Sequence, residues 1–263
     1  MSSEHLSYTI HSHQHHFGWD NSIEPIIFSK SGDLIEVDTV DSSGSQLSQN
    51  STINDVSTLD FSKVNPVTGP IYIQDAKQGD TIEVEIIDFN PSGWGWTAII
   101  PGFGLLNDIF IKPDLHIWKY DKYSLSDALF SDFAKIPLSP FVGTIGLSLQ
   151  EKGLHSIVPP RNCGGNIDIK NLTKGSKLYL PVQVDGGLLS LGDTHAAQGD
   201  GEVCGTAIES PMKVVIKIKL LKNILINSPQ LETFFTNNII DQKGHFIVTG
   251  IGPDLFESSK NAV

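Results

Sequence analysis

The stretch that decides the fold is Gly79-Asp80-Thr81-Ile82-Glu83-Val84, which runs on to Asp88 and repeats an earlier stretch, Gly32-Asp33-Leu34-Ile35-Glu36-Val37, running to Asp41. Each is a Gly-Asp turn followed by alternating polar and apolar residues, the pattern of a half-buried strand. A looser third copy spans Gly175 to Val184, and Met212 to Leu221 alternates Lys with Val and Ile, its lysines expected outward. The spacing of the copies is too irregular for a solenoid. The reading is mainly β: duplicated β-sandwich or barrel-like units with a few short helices, divided into an N-terminal unit, 1–135, and a C-terminal unit, 136–263.

Working outward, the helical expectations are few: Ser126 to Ala134, Pro229 to Phe235 and Pro253 to Val263. Shorter strands are expected around Ile109 to Ile111 and His116 to Tyr120. Residues 42–63 are rich in Ser, Thr, Asn, Gln and Asp and read as a long, mobile polar loop. Five of the nine histidines fall between His5 and His16. They form either a floppy arm or an alternating strand that holds His15 or His16 beside Trp19. Residues 90–106, NPSGWGWTAIIPGFGLL, place aromatics on glycine hinges. Such a segment either walls a small-molecule pocket, with Trp94 and Trp96 as candidates, or plugs the end of a barrel.

The chain has 263 residues, 18 Lys and Arg against 30 Asp and Glu, and a net charge of -12, which argues against nucleic acid or an anionic membrane as partner. Two cysteines, Cys163 and Cys204, make no disulfide framework. With no apolar signal core at the start and no apolar run of membrane-spanning length, the expectation is a soluble cytoplasmic protein.

Chemistry concentrates in Leu191 to Glu209, LGDTHAAQGDGEVCGTAIE, which holds Asp193, His195, Asp200, Glu202 and Glu209 among glycines. On a strand, Asp193 and His195 leave the same face. Carboxylates packed so tightly repel one another unless a cation sits among them. A second polar loop, Pro159 to Asp168, turns on Gly164-Gly165 and aims Asn166 and Asp168. His16 and Asp41 stand on two further Gly-containing stretches. If these segments converge, Asp168, Asp193 and His195 make a three-ligand set with an open position for water, whose pKa a divalent ion lowers to about 7. An Asp/Asp/His set suits Zn²⁺, Mn²⁺ or Fe²⁺, with zinc the first choice. Glu202 is then placed to move a proton, and N–H groups near Asn166 to hold an oxyanion. There is no GxSxG elbow, no P-loop, no GxGxxG after a strand and no CxxC pair, and Cys163 reads as a small loop residue.

Five stretches carry a family resemblance: GWDNS at 18–22, NPVTGPIYIQDAKQGDTIEVEI at 65–86, SPFVGTIG at 139–146, PPRNCGGNIDIKNL at 159–172 and LGDTHAAQGDGEVCGTAIE at 191–209. Together they resemble the acetamidase/formamidase family. The resemblance implies a mainly β, metal-dependent, generally homo-oligomeric amidohydrolase that converts formamide or acetamide to ammonia and the carboxylate. It places Asn166 and Asp168 in the site through GGNxD, and Asp193, His195, Gln198 and Glu202 through GDxHAxQGDGE. Glu209 and Asp41 fall in family-like positions. Family members continue beyond the GPDLFESSKNAV segment, so the family's C-terminal end is expected to be missing here, and they commonly carry another residue where Cys163 stands. Two alternatives remain open: hydrolysis of another C–N bond, such as a cyclic imide or ureide, and a catalytically inactive metal- or ligand-binding β protein.

Overall fold

The computed structural model describes residues 5–234 and 244–263. In chain order the first strands are β1 (Tyr8–Ile10), β2 (His15–His16), β3 (Ile27–Ser29), β4 (Leu34–Asp38), β5 (Val67–Ile73), β6 (Thr81–Pro91), β7 (Trp94–Ile99) and β8 (Asp114–Lys119). They are followed by β9 (Asp127–Phe130), β10 (Ala134–Pro137), β11 (Phe141–Gly146), β12 (Gly164–Asn166) and β13 (Lys177–Pro181). The last are β14 (Leu189–His195), β15 (Met212–Leu221), β16 (Gln230–Glu232) and β17 (Phe246–Val248). Two helices are described, α1 (Ile53–Val56) and α2 (Leu255–Ala262).

Seven strands form one sheet in the order β1-β4-β15-β6-β13-β16-β17. A second sheet runs β12-β11-β14-β5-β2, with β3 also on β5, and β7-β8 and β9-β10 pair separately. Neither large sheet closes on itself, so of the sandwich and barrel forms expected, the open one is present. Ile35, Val84, Leu178 and Ile216 of the first sheet share one buried cluster with Ile71, Val142, Ile145 and Leu191 of the second. Each sheet takes strands from both sides of residue 135.

The Gly-Asp repeat has a structural basis. Gly32 and Gly79 take φ of +101° and +91°, which a side chain would strain. The Asp33 carboxylate accepts from the Lys30 N–H at 2.8 Å, and Asp80 accepts from the Lys77 N–H at the same distance. In both turns the aspartate's own N–H donates back to the carbonyl of that lysine. The turn sequence Lys-x-Gly-Asp therefore closes both its backbone groups before the strand begins. In the third copy Ser176 returns its N–H and hydroxyl to the Thr173 carbonyl. The exterior of this sheet carries charge: Lys213 meets Glu36 at 3.0 Å, and Lys219 meets Glu83 at 3.6 Å across the strands.

Several local expectations need correction. Ser126 to Ala134 is no helix. β9 and β10 pair antiparallel around Ser131, whose φ of +54° turns the chain and stops helical propagation. Pro229 to Phe235 is not helical where described: β16 is recruited between β13 and β17, and Phe235 lies outside the described residues. Ile109 to Ile111 is exposed turn and pairs with nothing as a strand. The C-terminal helix does form, with Asp254 accepting from the Glu257 N–H at 2.8 Å as its N-cap. The histidine stretch is held at two points rather than loose: β1 pairs with β4 and β2, which carries His15 and His16, with β5, while His11 and His13 lie in the exposed turn between. Residues 42–63 hold α1 and a 3-10 turn, with Leu47 and Val56 buried under them. No helix among the described residues is long and apolar enough to cross a membrane.

Candidate active site

The centre of the second sheet supplies the floor of the site. β14 carries Asp193 and His195, both almost fully buried, and β11 beside it carries Gly143 and Thr144. Asp193 takes φ +49°, which interrupts the ladder opposite Gly143. The Gly143 carbonyl thus released accepts the N–H groups of both Ile167 and Asp168, each at 3.1 Å, and this draws Asp168, two residues beyond β12, into the site. Glu209 arrives from the segment bridging β14 to β7: its backbone exchanges two hydrogen bonds of 2.9 Å with Trp96.

Four carboxyl groups and one imidazole result. His195 Nε2 lies 3.1 Å from Asp193 Oδ1 and 3.2 Å from Glu209 Oε2. The other Glu209 oxygen accepts from the Ala207 N–H at 2.7 Å, and Ser42 donates to Oε2 at 2.7 Å. Gln198 spans from His195 to Asp168. Its amide nitrogen donates to the Asp168 carbonyl at 3.0 Å, so its oxygen must be the atom 3.0 Å from His195 Nδ1. That oxygen can only accept, which puts a proton on Nδ1 and leaves Nε2 turned to the carboxylates. Thr144 lies within 2.7 Å of Asn166 Oδ1 and 3.0 Å of Asp193 Oδ2, and Asn65 reaches the same two oxygens at 3.4 and 3.3 Å.

A cavity of about 230 Å³ opens above this floor. Asp168, Asp193, Glu202 and Glu209 line it together with Leu59, Phe61, Ile100 and Phe103, with no Lys or Arg among its lining residues. The electrostatics follow. Burial, and then the charge of Asp193, push the Asp168 carboxyl up to about 8. Burial, and then Glu209, push Glu202 up to about 7. Burial likewise raises Glu209. Burial opposes charge on Asp193 and on His195, but their mutual attraction outweighs it, holding the aspartate low and, with Glu209, the imidazole high.

The group is short of positive charge, and one atom marks the gap. Asp168 Oδ1 is buried with no hydrogen-bond partner, whereas buried polar oxygens nearly always have one. Its ligand atom lies within 4.8 Å of those of Asp193 and His195, and His195, Glu202 and Glu209 form a second such trio. Oxygen-rich donors with one imidazole suit a divalent cation, so the residues present fit a metal.

Other expected site residues stand elsewhere. Trp96 and Trp94 both pack in the cluster around Leu47 and Val56, but of the two Trp96 alone lines the cavity. Asp41 accepts from Trp96 Nε1 at 2.9 Å and so positions the wall without facing the cavity. His16 sits between the Gly18 carbonyl and Ser190, at 2.8 and 2.9 Å, outside the carboxylate group. Asp200 is exposed and pairs with Lys170 at 2.6 Å. Asn166 lines the cavity, but its amide nitrogen donates to the Val158 carbonyl at 3.1 Å. Cys163 is buried, and that burial pushes its thiol up to about 12. Thr144, Asn65 and Ser42 went unnamed in the sequence reading. The first two lay within the SPFVGTIG and NPVTGP stretches, the only signal available.

Comparison with known proteins identifies the family. The profile of the acetamidase/formamidase family matches residues 4–157 and 148–261, essentially the whole chain. The chain belongs to that family. A formamidase of Methylophilus methylotrophus is 32% identical over 264 residues, covering 80% of this chain and 65% of its own length. The chain thus spans less than two thirds of that relative. A crystal structure of an acetamidase/formamidase from Thermoanaerobacter tengcongensis superposes with a TM-score of 0.88 at 28% identity, covering 98% of this chain and 81% of that one. A γ-lactamase from Delftia acidovorans superposes with a TM-score of 0.80 at 25% identity, covering 93% of this chain and 73% of that one.

Proposed function

We propose that this protein hydrolyses short aliphatic amides, formamide and acetamide first among them, to ammonia and the carboxylate with the help of a divalent cation. The observation that carries the reading is the group of four buried carboxyls around His195 with Asp168 Oδ1 left unpartnered. Family membership and the formamidase relative support the substrate class. Asp168, Asp193 and His195 are the proposed metal ligands, and zinc the proposed ion. A divalent ion in such a place polarises a carbonyl and acidifies water.

The chain's own groups do the rest. Glu202, near neutrality in pKa, takes the proton of the attacking water. As the C–N bond breaks it delivers that proton to the leaving nitrogen, releasing ammonia. Gln198 holds the imidazole in one tautomer. Asn166 accepts from Thr144 and Asn65 and donates to the Val158 carbonyl, so its part is to hold the site together rather than to offer its own amide to an oxyanion. Trp96 walls off solvent.

The test is ammonia release from formamide and acetamide by H195A and E202Q: both should lose at least a hundredfold in kcat/KM, and full activity in either removes that residue from the mechanism. A second reading, hydrolysis of a cyclic amide, draws on the likeness to the γ-lactamase. The same family likeness supports a homo-oligomer, and two free thiols support a cytoplasmic location. We assign most of the site to the unit 136–263, with Asn65, Ser42 and Trp96 contributed by the unit 1–135.

A further inference from the structure

Phe103 lies in the wall of two cavities. On one side is the site cavity; on the other is a cavity of about 380 Å³ lined by Ile99, Leu106, Phe110 and Val203, with Glu202 and Thr206 shared between the two. The ring is seated by two interlocked glycine loops. Gly205 has φ +77°, and a Cβ there would stand 2.5 Å from the Phe103 ring, so the ring rests directly on the glycine. A Cβ on Gly104 would stand 2.6 Å from the Cys204 carbonyl, and the Leu105 N–H donates to Val203 at 2.9 Å. Phe61 meets the ring edge-on at 5.9 Å between centroids.

The chemistry of the lining orients a substrate. The lining joins the carboxylates to Leu59, Ile100 and Phe103, so with the amide group held at the carboxylates the acyl chain is left to these apolar side chains. Formamide is little larger than two waters, each about 30 Å³ of liquid. The cavity accommodates a longer chain, up to the Phe103 ring.

We propose that Phe103 determines the acyl length this site accepts, by closing it from an apolar cavity that would otherwise take the tail of a longer aliphatic amide. The proposal rests on the amidase reading for the identity of the ligand. Each methylene newly buried is worth about fourfold in affinity.

The experiment is calorimetric binding of hexanamide and acetamide to the wild-type protein, F103A and F103A/L106W, with kcat/KM for both amides alongside. F103A should raise the hexanamide-to-acetamide affinity ratio fivefold or more, and L106W, which fills only the second cavity, should take the gain away. A smaller rise in folded F103A, or a gain that survives L106W, overturns the proposal. Phe103→Leu, with the same sign expected, stands in if F103A does not fold. Wild-type protein that releases ammonia from no amide defeats the amidase reading, while the binding ratios still decide the role of Phe103.

Discussion

Gly143 has no room for a side chain. A Cβ there would lie 2.8 Å from both Asp168 Oδ1 and His195 Cε1 and 2.7 Å from the Asp193 carbonyl oxygen. G143A should therefore keep its sheets and lose the cation: metal content after dialysis should fall at least tenfold, with circular dichroism unchanged. Gln198 acts one bond further out. Removing a group that orients a ligating histidine typically costs about 10–100-fold in metal affinity or activity, and Q198L should fall in that range by metal titration. Cys163, its thiol held far from ionisation, should resist iodoacetamide in the folded protein at pH 8 and react in urea, whereas half-buried Cys204 should react in both. At this scale the sequence is most readable where candidate site residues sit close together. Asp193, His195 and Glu202 fall within ten residues of each other, and their crowding itself signals a site. Thr144 and Asn65 meet at Asp193 and Ser42 at Glu209, from three separate segments, and no local pattern of residue types marks them. Period-two alternation put Trp94 and Trp96 on one face of a strand, but which ring reaches the cavity depends on what covers each.

Among the elements, the Lys-x-Gly-Asp turn is the most testable. The buried Asp80 carboxylate takes the Lys77 and Asn223 N–H groups at 2.8 and 3.0 Å and the Lys222 ammonium at 2.6 Å. Burial opposes its charge, but these donors, led by Lys222, outweigh burial and hold its pKa below the ordinary carboxylate range. A carboxyl lowered on folding stabilises the protein above its unfolded pKa, about 3.9, and that contribution is lost as pH falls through the folded value. D80N should cost about 1–3 kcal/mol at pH 7, lowering Tm by several degrees, and the gap from wild type should close as pH is taken below about 3.9. A gap independent of pH would assign the effect to shape alone. The repeat that predicted these strands was legible because turn and strand are both local. Pro229 to Phe235 reads as helix in the sequence because the pairing of its described part is not local: β16 exists by virtue of β13, some fifty residues earlier in the chain. Ser126 to Ala134 instead folds on a local hairpin, β9 with β10, that its sequence does not mark as a turn.

For the whole molecule, two sheets share one core, and the second also supplies the floor of the site, where like charges are buried together. A cation bound there, as proposed, would relieve their repulsion and so link stability to occupancy. Cation at about 100 times its Kd should add about 2.7 kcal/mol, seen as a rise in Tm over chelated protein, and D193N should weaken that rise. The account's central claim is that the cluster works through a divalent cation on an amide. It is tested most directly by ammonia release from formamide and acetamide, measured on protein stripped with a chelator and then supplied with Zn²⁺, Mn²⁺ or Fe²⁺. The account predicts activity that disappears on stripping and returns with one of these ions. Ammonia release that is undiminished in metal-free protein, or absent from folded protein under every ion, would contradict it.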